Sequence, residues 1–403
     1  MTTLNAGQTD AAKALMHWYK TKYQPIFRLG GSPGSGKSYT AVAALKELNL
    51  RKSHIVFCTF TGQASLVLMR YLENGDYQVS TIHNLIYDTV YDHMHKDFRF
   101  ELKKHLGNAR LIVVDEASMV STMLKEALES FGLPILALGD PDQLPAIETP
   151  DKFGFIGATS FMDNPDVLLT EPMRQHKDSK ILHLAALAKA QKKIDVGVYS
   201  DLVEVVRKED LQLEDYLNVD QVICGYNSTI KEKTEDIRSY LGFESSSPSI
   251  NDKVIITQNN NQIRQDTYPL TNGMIGRILN MPEIGKRKDY FTNSDSFSKQ
   301  QSLGSYLEKD IYAINFKADF MKNPFETSLY VPATDFNFEK ELIDKNVSKY
   351  FTRMEYGYLT SCHRAQGNQF DSLLVLDESF GPEPWRWLYT AITRAKRQLK
   401  LAI

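Results

Sequence analysis

The segment Gly31-Ser32-Pro33-Gly34-Ser35-Gly36-Lys37-Ser38 lies between an apolar run, Ile26 to Leu29, and an alanine-rich stretch that reads as a helix from Ser38 to Leu48. A strand that passes through a glycine-rich loop straight into a helix is the first half of a βαβ unit, and the crossover brings the next strand back parallel to the first. The octet therefore commits this part of the chain to a parallel sheet flanked by helices. It also predicts a chemistry. Glycines allow successive backbone N–H groups to wrap a phosphate, Lys37 reaches the β and γ oxygens, and the Ser38 hydroxyl is placed for magnesium. The helix N-terminus adds its partial positive charge. Gly31, Ser32, Pro33, Gly34, Ser35 and Gly36, with Tyr39 behind them, complete the expected nucleotide cradle.

Further apolar runs follow at Ile55 to Cys58, Leu111 to Val114 and Ile135 to Leu138. Runs this short and continuously apolar fit parallel strands covered on both faces. Two of them end in acidic residues, Asp115-Glu116 and Gly139-Asp140. Open α/β sheets place their ligands at such carboxyl ends. One of the first pair, Asp115, is a candidate to position magnesium, and Glu116 to polarise an attacking water. In Gly139-Asp140-Pro141-Asp142-Gln143-Leu144-Pro145 the Gln143 amide stands where it reaches both the γ-phosphate and that water.

At 403 residues the chain exceeds the roughly 250 to 300 residues at which one core stops growing, so two or more domains are expected. α/β texture occurs at both ends. Between them, Ser245-Ser-Ser-Pro-Ser reads as a linker, and Lys253 to Thr257, the turn at Asn272-Gly273 and Ile275 to Leu279 read as a small antiparallel barrel. Lys286 to Ser302 reads as a loop, and the second α/β region resumes near Tyr350. The N-terminal helix is expected over Ala11 to Lys20. Three scattered cysteines, Cys58, Cys224 and Cys362, suit reduced packing residues rather than disulfides or a zinc site. No signal pattern and no run near the ~18 apolar residues of a membrane span is present, so a soluble protein with no membrane partner is expected in the cytoplasm, or in a host's cytoplasm if phage-encoded. The net charge of -3 gives no global basic footprint, so any nucleic-acid binding must be local.

Asp115-Glu-Ala-Ser-Met followed by Gly139-Asp-x-x-Gln-Leu-Pro resembles motifs II and III of superfamily 1 helicases. Other signatures of that family occur in its order. Leu4-Asn-Ala-Gly-Gln8 is similar to the Q motif, which implies that Gln8 reads adenine. Thr59-Phe-Thr61-Gly62-Gln-Ala resembles motif Ia, and Ser80-Thr-Ile-His83 the DNA-contacting loop after it. Thr170-Glu-Pro-Met-Arg174-Gln resembles motif IV, Thr360-Ser-Cys-His363-Arg-Ala-Gln366-Gly367 motif V, and Leu388-Tyr-Thr-Ala-Ile-Thr-Arg394-Ala motif VI. The resemblance implies that Arg174 and Arg394 reach the γ-phosphate, that Gly367 adjoins the nucleotide, and that Thr59, Thr61, Gly62, His83, Thr360 and His363 contact a nucleic-acid strand. Within the family the RecD-like and phage Dda-like branch, superfamily 1B, is most similar, because the 251–279 segment resembles its SH3-like insertion. One departure stands out. Met173 occupies the position where other branches carry an adenine-stacking tyrosine.

The implied fold is α/β, with two RecA-like lobes: 1–175, with a short pin at about 85–105; and 176–245 with 350–403, interrupted by an SH3-like β-barrel at 246–349. The implied activity is ATP hydrolysis with Mg2+ that drives movement along single-stranded DNA, 5′ to 3′, and unwinding at single-strand/duplex junctions. The expected state is a monomer, with a single-strand binding protein or replication and recombination proteins as further partners. Alternatives are a translocase that displaces proteins without processive unwinding, a P-loop ATPase of another class such as a nucleotide kinase, and a non-catalytic binding module. In the pin stretch Phe98 and Phe100 are candidates to stack on the last base pair, against the alternative that both alternate into the adjacent core.

Overall fold

A computed structural model describes residues 4–72, 77–92, 97–146, 161–171, 173, 179–244, 247–265, 268–287, 309–338 and 351–403. Arg174, the hairpin tip at 93–96, most of the polar segment 286–302 and the side chain of Phe98 lie outside the described residues. The chain divides into two compact units. One comprises Met1–Tyr91, Arg99–Asp210 and Ala365–Ile403, the other Asp92–Phe98 and Leu211–Arg364.

The first unit opens with α1 (Ala6–Thr21), β1 (Ile26–Gly31), α2 (Lys37–Glu47), β2 (Ile55–Thr59), α3 (Gly62–Tyr71), β3 (Gln78–Thr81) and α4 (Ile82–Ile86). There follow the hairpin strands β4 (Tyr87–Asp92) and β5 (Asp97–Leu102), then β6 (Leu111–Asp115), α5 (Thr122–Glu129), β7 (Ile135–Gly139) and β8 (Val167–Leu169). Six of these strands form a sheet in the order β3-β2-β6-β7-β1-β8, and every ladder in it is parallel. Alternate side chains explain the continuous apolar runs. Phe27, Leu29, Phe57, Leu111, Val113, Leu136 and Leu138 pack under Leu15 and Trp18 of α1 and Ala41, Ala44 and Leu45 of α2. On the opposite face Ile26, Val56, Ile112, Val114, Ile135 and Ala137 meet Ile82 and Ile86 of α4 and Leu124 and Leu128 of α5. A strand buried on both faces has no polar side to display.

The N-terminal helix starts at Ala6 rather than Ala11. The Asn5 side chain accepts from Gln8 N at 2.7 Å while Gln8 Oε1 accepts from Asn5 N at 3.1 Å, a reciprocal cap that fixes the first turn. The unit continues with α6 (Lys180–Lys189), β9 (Gly197–Ser200) and β10 (Val203–Val206).

The second unit contains α7 (Leu213–Leu217), β11 (Gln221–Cys224), α8 (Asn227–Tyr240), β12 (Lys253–Ile256), β13 (Asn260–Gln265), β14 (Tyr268–Leu270) and β15 (Ile275–Ile278). It continues through β16 (Glu283–Lys286), β17 (Asp310–Ile314), β18 (Phe316–Ala318), β19 (Leu329–Pro332), β20 (Met354–Tyr356), β21 (Leu359–Ser361) and α9 (Cys362–Ala365). β11 and β21 pair in parallel. The other ladders are antiparallel, as the turn at Asn272-Gly273 between strand-like runs predicts: a sheet in the order β18-β15-β12-β20, a second in the order β16-β17-β19, and the hairpin β13-β14. A buried ion pair pins this region to α8. Arg238 donates to both oxygens of Asp252 at 3.1 Å, and the Tyr358 hydroxyl donates to the same carboxylate at 2.8 Å.

The chain then returns to the first unit as β22 (Phe370–Leu376), α10 (Pro384–Ile392) and β23 (Ala395–Ala402). There β23 pairs in parallel with β22 and β10, and β9 adds an antiparallel edge. All three cysteines are buried and free. Among the described residues no helix is long and apolar enough to cross a membrane.

Candidate functional site

The loop after β1 and the ends of β6 and β7 emerge along one edge of the six-stranded sheet, since Gly30 pairs with Gly139 and Thr59 with Asp115. That edge holds the expected nucleotide residues. Gly36 caps α2 with φ +86, and a Cβ there would stand 2.4 Å from Gln8 Nε2, so only glycine fits both the backbone and the space. Lys37 Nζ donates to Gly31 O at 2.7 Å and Ser32 O at 3.2 Å, folded back over its own loop. Gln8 Nε2 donates to Ser35 O at 3.1 Å, and Met173 N donates to Gly34 O at 2.9 Å, so the N-terminal helix and the motif IV segment both brace the cradle.

Ser38 Oγ donates to Asp115 Oδ2 at 2.9 Å, which puts two hard oxygen donors side by side. Burial and the neighbouring Glu116 charge push the Asp115 carboxyl up to about 6, against the opposing pull of Ser38 and Lys37. Glu116 follows with φ +53, a left-handed backbone that a glutamate rarely adopts, and its N–H donates to Asp115 Oδ1 at 2.9 Å.

At the end of β7, Asp140 is 1 % exposed and Gln143 2 %. This loop is tied to α10 and its surroundings at every step. The Tyr389 hydroxyl donates to Asp140 Oδ2 at 2.8 Å, Leu144 N donates to Thr390 Oγ1 at 2.9 Å, and Gln366 Nε2 donates to Leu144 O at 2.8 Å. Arg386 donates to Pro141 O and Gln143 O. Arg394, 1 % exposed, donates to Thr390 O, Asn368 O and Thr393 Oγ1 at 3.1 to 3.3 Å. It is thus seated at the end of its own helix. A small open cleft lies between Pro33-Gly34 of the cradle and Leu182, Gln369, Thr393 and Lys396.

The residues expected to contact a strand sit on short loops that begin helices. Thr61 Oγ1 accepts from Ala64 N at 3.1 Å at the start of α3, beside buried Gly62, and Thr81 Oγ1 accepts from Asn84 N at 3.3 Å at the start of α4. Thr59 is buried and its hydroxyl donates to Thr61 O at 2.7 Å, shaping the loop from within. Gly367 packs against the same loop: a Cβ there would lie 3.0 Å from Ala64 Cβ. His83 is exposed, with its ring 5.9 Å from that of Tyr87, which in turn lies 6.2 Å from Phe100. Phe100 is 65 % exposed, which excludes it from the adjacent core. In the second unit Thr360 is buried with an unpartnered hydroxyl, and desolvation by neighbouring groups lowers the pKa of His363, as it does for His83.

A phosphate-wrapping loop, a neighbouring hydroxyl–carboxylate pair and a buried glutamine at the carboxyl edge of a parallel sheet define a P-loop nucleoside triphosphatase with a RecA-like lobe. A family model described as an AAA domain matches residues 3–209, and a UvrD-like helicase C-terminal domain matches 356–402. The chain belongs to this AAA-domain family, and its resemblance to superfamily 1B helicases is upheld. Among curated proteins it is similar to ATP-dependent DNA helicase Pif1 of Campylobacter jejuni, 23 % identical over 94 % of this chain and 89 % of that one. Its fold is shared with two solved Pif1 structures, each 15 % identical. One, of two coordinating Pif1 helicases at forked DNA, has a TM-score of 0.60 over all of this chain and 92 % of the other. The second, Bacteroides Pif1 bound to single-stranded DNA, has a TM-score of 0.59 over all of this chain and 93 % of the other.

Asn5, Asp140, Thr390 and Tyr389 lie within motifs named above, but the sequence alone assigns none of them a bonding role in the site. The Asn5-x-x-Gln8 spacing is a capping signal that was there to be read. Tyr389 and Thr390 had none, because their partners lie far away in sequence.

Proposed function

We propose that this chain is an ATP-dependent DNA helicase that translocates 5′ to 3′ on single-stranded DNA and separates duplex at single-strand/duplex junctions. The observation that carries the reading is the direct bonding of the Asp140–Leu144 loop, on the nucleotide edge, to α10, the helix that leads into Arg394. Nucleotide state and the arginine-bearing helix are therefore mechanically joined. The curated relative is named a helicase, and both solved relatives are described with DNA.

ATP fits the cradle, and the Ser38–Asp115 oxygen pair fits Mg2+, which when bound neutralises phosphate charge and aligns the β and γ oxygens. Lys37 exchanges its two carbonyl partners for phosphate oxygens. Gly31 to Gly36 and Tyr39 line the bound nucleotide, Gly367 adjoins it, and Gln8, its amide engaged by Asn5 N and Ser35 O, braces the cradle. Glu116 takes the water's proton while Gln143 orients that water. Arg394 and Arg174 stabilise charge as it develops on the transferred phosphoryl. Thr61, Gly62 and His83 grip the strand from the first lobe, with Thr59 supporting them, and Thr360 and His363 grip from the second. We assign 1–175 to the first motor lobe, 176–245 with 350–403 to the second, and 246–349 to an SH3-like insertion. The protein acts as a monomer in the cytoplasm, alongside a single-strand binding protein or replication and recombination proteins.

Partial duplexes with a 5′ or a 3′ single-stranded tail test activity and polarity together. Unwinding of the 5′-tailed substrate alone is expected. Unwinding only from a 3′ tail overturns the branch-specific polarity, and strand-stimulated ATPase with no unwinding of either reduces the protein to a translocase.

A further inference from the structure

The polar arrangement around Gln143 is more specific than a water-orienting residue alone requires. Asp140 Oδ1 accepts from Asp142 N at 3.0 Å, while Oδ2 accepts from the Tyr389 hydroxyl at 2.8 Å and from Gln143 Nε2 at a long 3.4 Å. The opposite end of the amide, Gln143 Oε1, is buried and finds no hydrogen-bond partner among the described residues. A carboxamide has nearly the same shape either way round, so its neighbours decide which end faces where. An ionised carboxylate accepts and cannot donate. It therefore draws the nitrogen end of Gln143 to itself and leaves the oxygen end free to accept a hydrogen bond. Burial raises the Asp140 pKa, but the Lys37 charge, Asp142 N–H and the Tyr389 hydroxyl all favour its ionised form.

The orientation matters for chemistry. A water that attacks phosphorus uses an oxygen lone pair, so it must give its protons to acceptors and keep that lone pair free. Gln143 Oε1 is such an acceptor, whereas the amide nitrogen would donate to the lone pair and hold it back. Tyr389 lies on α10, which leads into Arg394. Resting on the ATPase reading above, we propose that Asp140 and Tyr389 are positioning residues: together they fix the Gln143 amide with its oxygen toward the reacting water, and so make that orientation depend on where the arginine-bearing helix stands.

Asp140→Asn is isosteric and tests this. Asp142 N–H still demands an oxygen, so the asparagine turns its nitrogen toward Gln143 and inverts the amide. Single-strand-stimulated ATP hydrolysis is measured for the wild type, Asp140→Asn, Tyr389→Phe and Gln143→Ala, and for the two double variants that add Gln143→Ala. A roughly tenfold fall in kcat is expected for Asp140→Asn and about threefold for Tyr389→Phe, the scale of one hydrogen bond, with KM for ATP within about twofold of wild type. In the Gln143→Ala background neither change should lower kcat further, because both act only through that amide. Equal losses in both backgrounds, or a rise in KM with kcat unchanged, would overturn the proposal by making the pair general scaffolding. If thermal melting shows Asp140→Asn unfolded, Tyr389→Phe in the two backgrounds decides alone. A wild type that hydrolyses no ATP with any strand overturns the ATPase reading, and this inference with it.

Discussion

The nucleotide edge and the loops proposed to grip a strand are built on opposite plans. At the nucleotide edge the ties that join one element to another link groups distant in sequence: Ser38 to Asp115, Asp140 to Tyr389 and the Leu144 N–H to Thr390, while Lys37 and Gln143 add local bonds. The gripping loops are held by near neighbours, Thr61 by Ala64 and Thr81 by Asn84, and Ser361 Oγ accepts from Arg364 N at 3.4 Å in the same manner. The nucleotide edge thus exists only in the finished tertiary fold, whereas each grip is a local helix cap. Damage to the first should propagate through hydrolysis, and damage to a grip should stay with that grip.

The sharpest way to break this comparison is Glu116→Gln. Loss of the general base should lower hydrolysis by about 10⁴-fold while nucleotide binding, followed by fluorescent-analogue titration, stays intact. Turnover near the wild-type rate would remove Glu116 from the site. Arg394→Ala comes next, with about a 10³-fold fall in strand-stimulated ATPase and single-strand binding retained. Because this arginine is buried and bonded to the end of α10, a melting curve must accompany the assay. If ATPase survives while stability falls, the residue is a helix anchor rather than a finger.

A smaller effect is expected at the pin. Phe98→Ala with Phe100→Ala should leave strand-stimulated ATPase unchanged and slow unwinding by roughly tenfold. One base–aromatic stack is worth ~1 to 3 kcal/mol, against ~1.4 kcal/mol for one base-pair step. A matching loss of ATPase would place both rings in the machinery of the nucleotide edge. The smallest effect concerns pH. Desolvation by neighbouring groups lowers the pKa of His363 and, although its side chain is exposed, that of His83, so both carry less charge at pH 7 than a free imidazole. Single-strand affinity and its salt dependence should therefore change by less than about twofold between pH 8 and pH 7, since neutral imidazoles displace no counterions. Marked tightening over that interval would show at least one of them charged against a phosphate.

Legibility in the sequence follows the same division. The strands β1, β2, β6 and β7 were readable because burial on both faces leaves a continuous apolar run, and the phosphate loop because its backbone geometry demands glycines at set positions. The Tyr389–Asp140 bond was not, since its partners stand 249 residues apart and either would be an unremarkable polar residue alone. Arg394 was assigned a reach toward phosphate, and its seat on Thr390 O and Asn368 O depends on the loop after α9, which no local pattern encodes. Helix α1 starts five residues before the apolar pattern that predicts it, because the Asn5–Gln8 capping box adds a first turn with little apolar signal.

Glu116 sits in a left-handed backbone at φ +53, a conformation that disfavours side chains with a Cβ by roughly 1 kcal/mol and that glycine or asparagine accepts more readily. A lineage released from the need to turn over nucleotide would therefore find replacement at this position easy, since folding itself pulls toward a smaller residue. A glutamate at this position fits chemistry rather than folding, and its replacement would turn a motor into a passive binder.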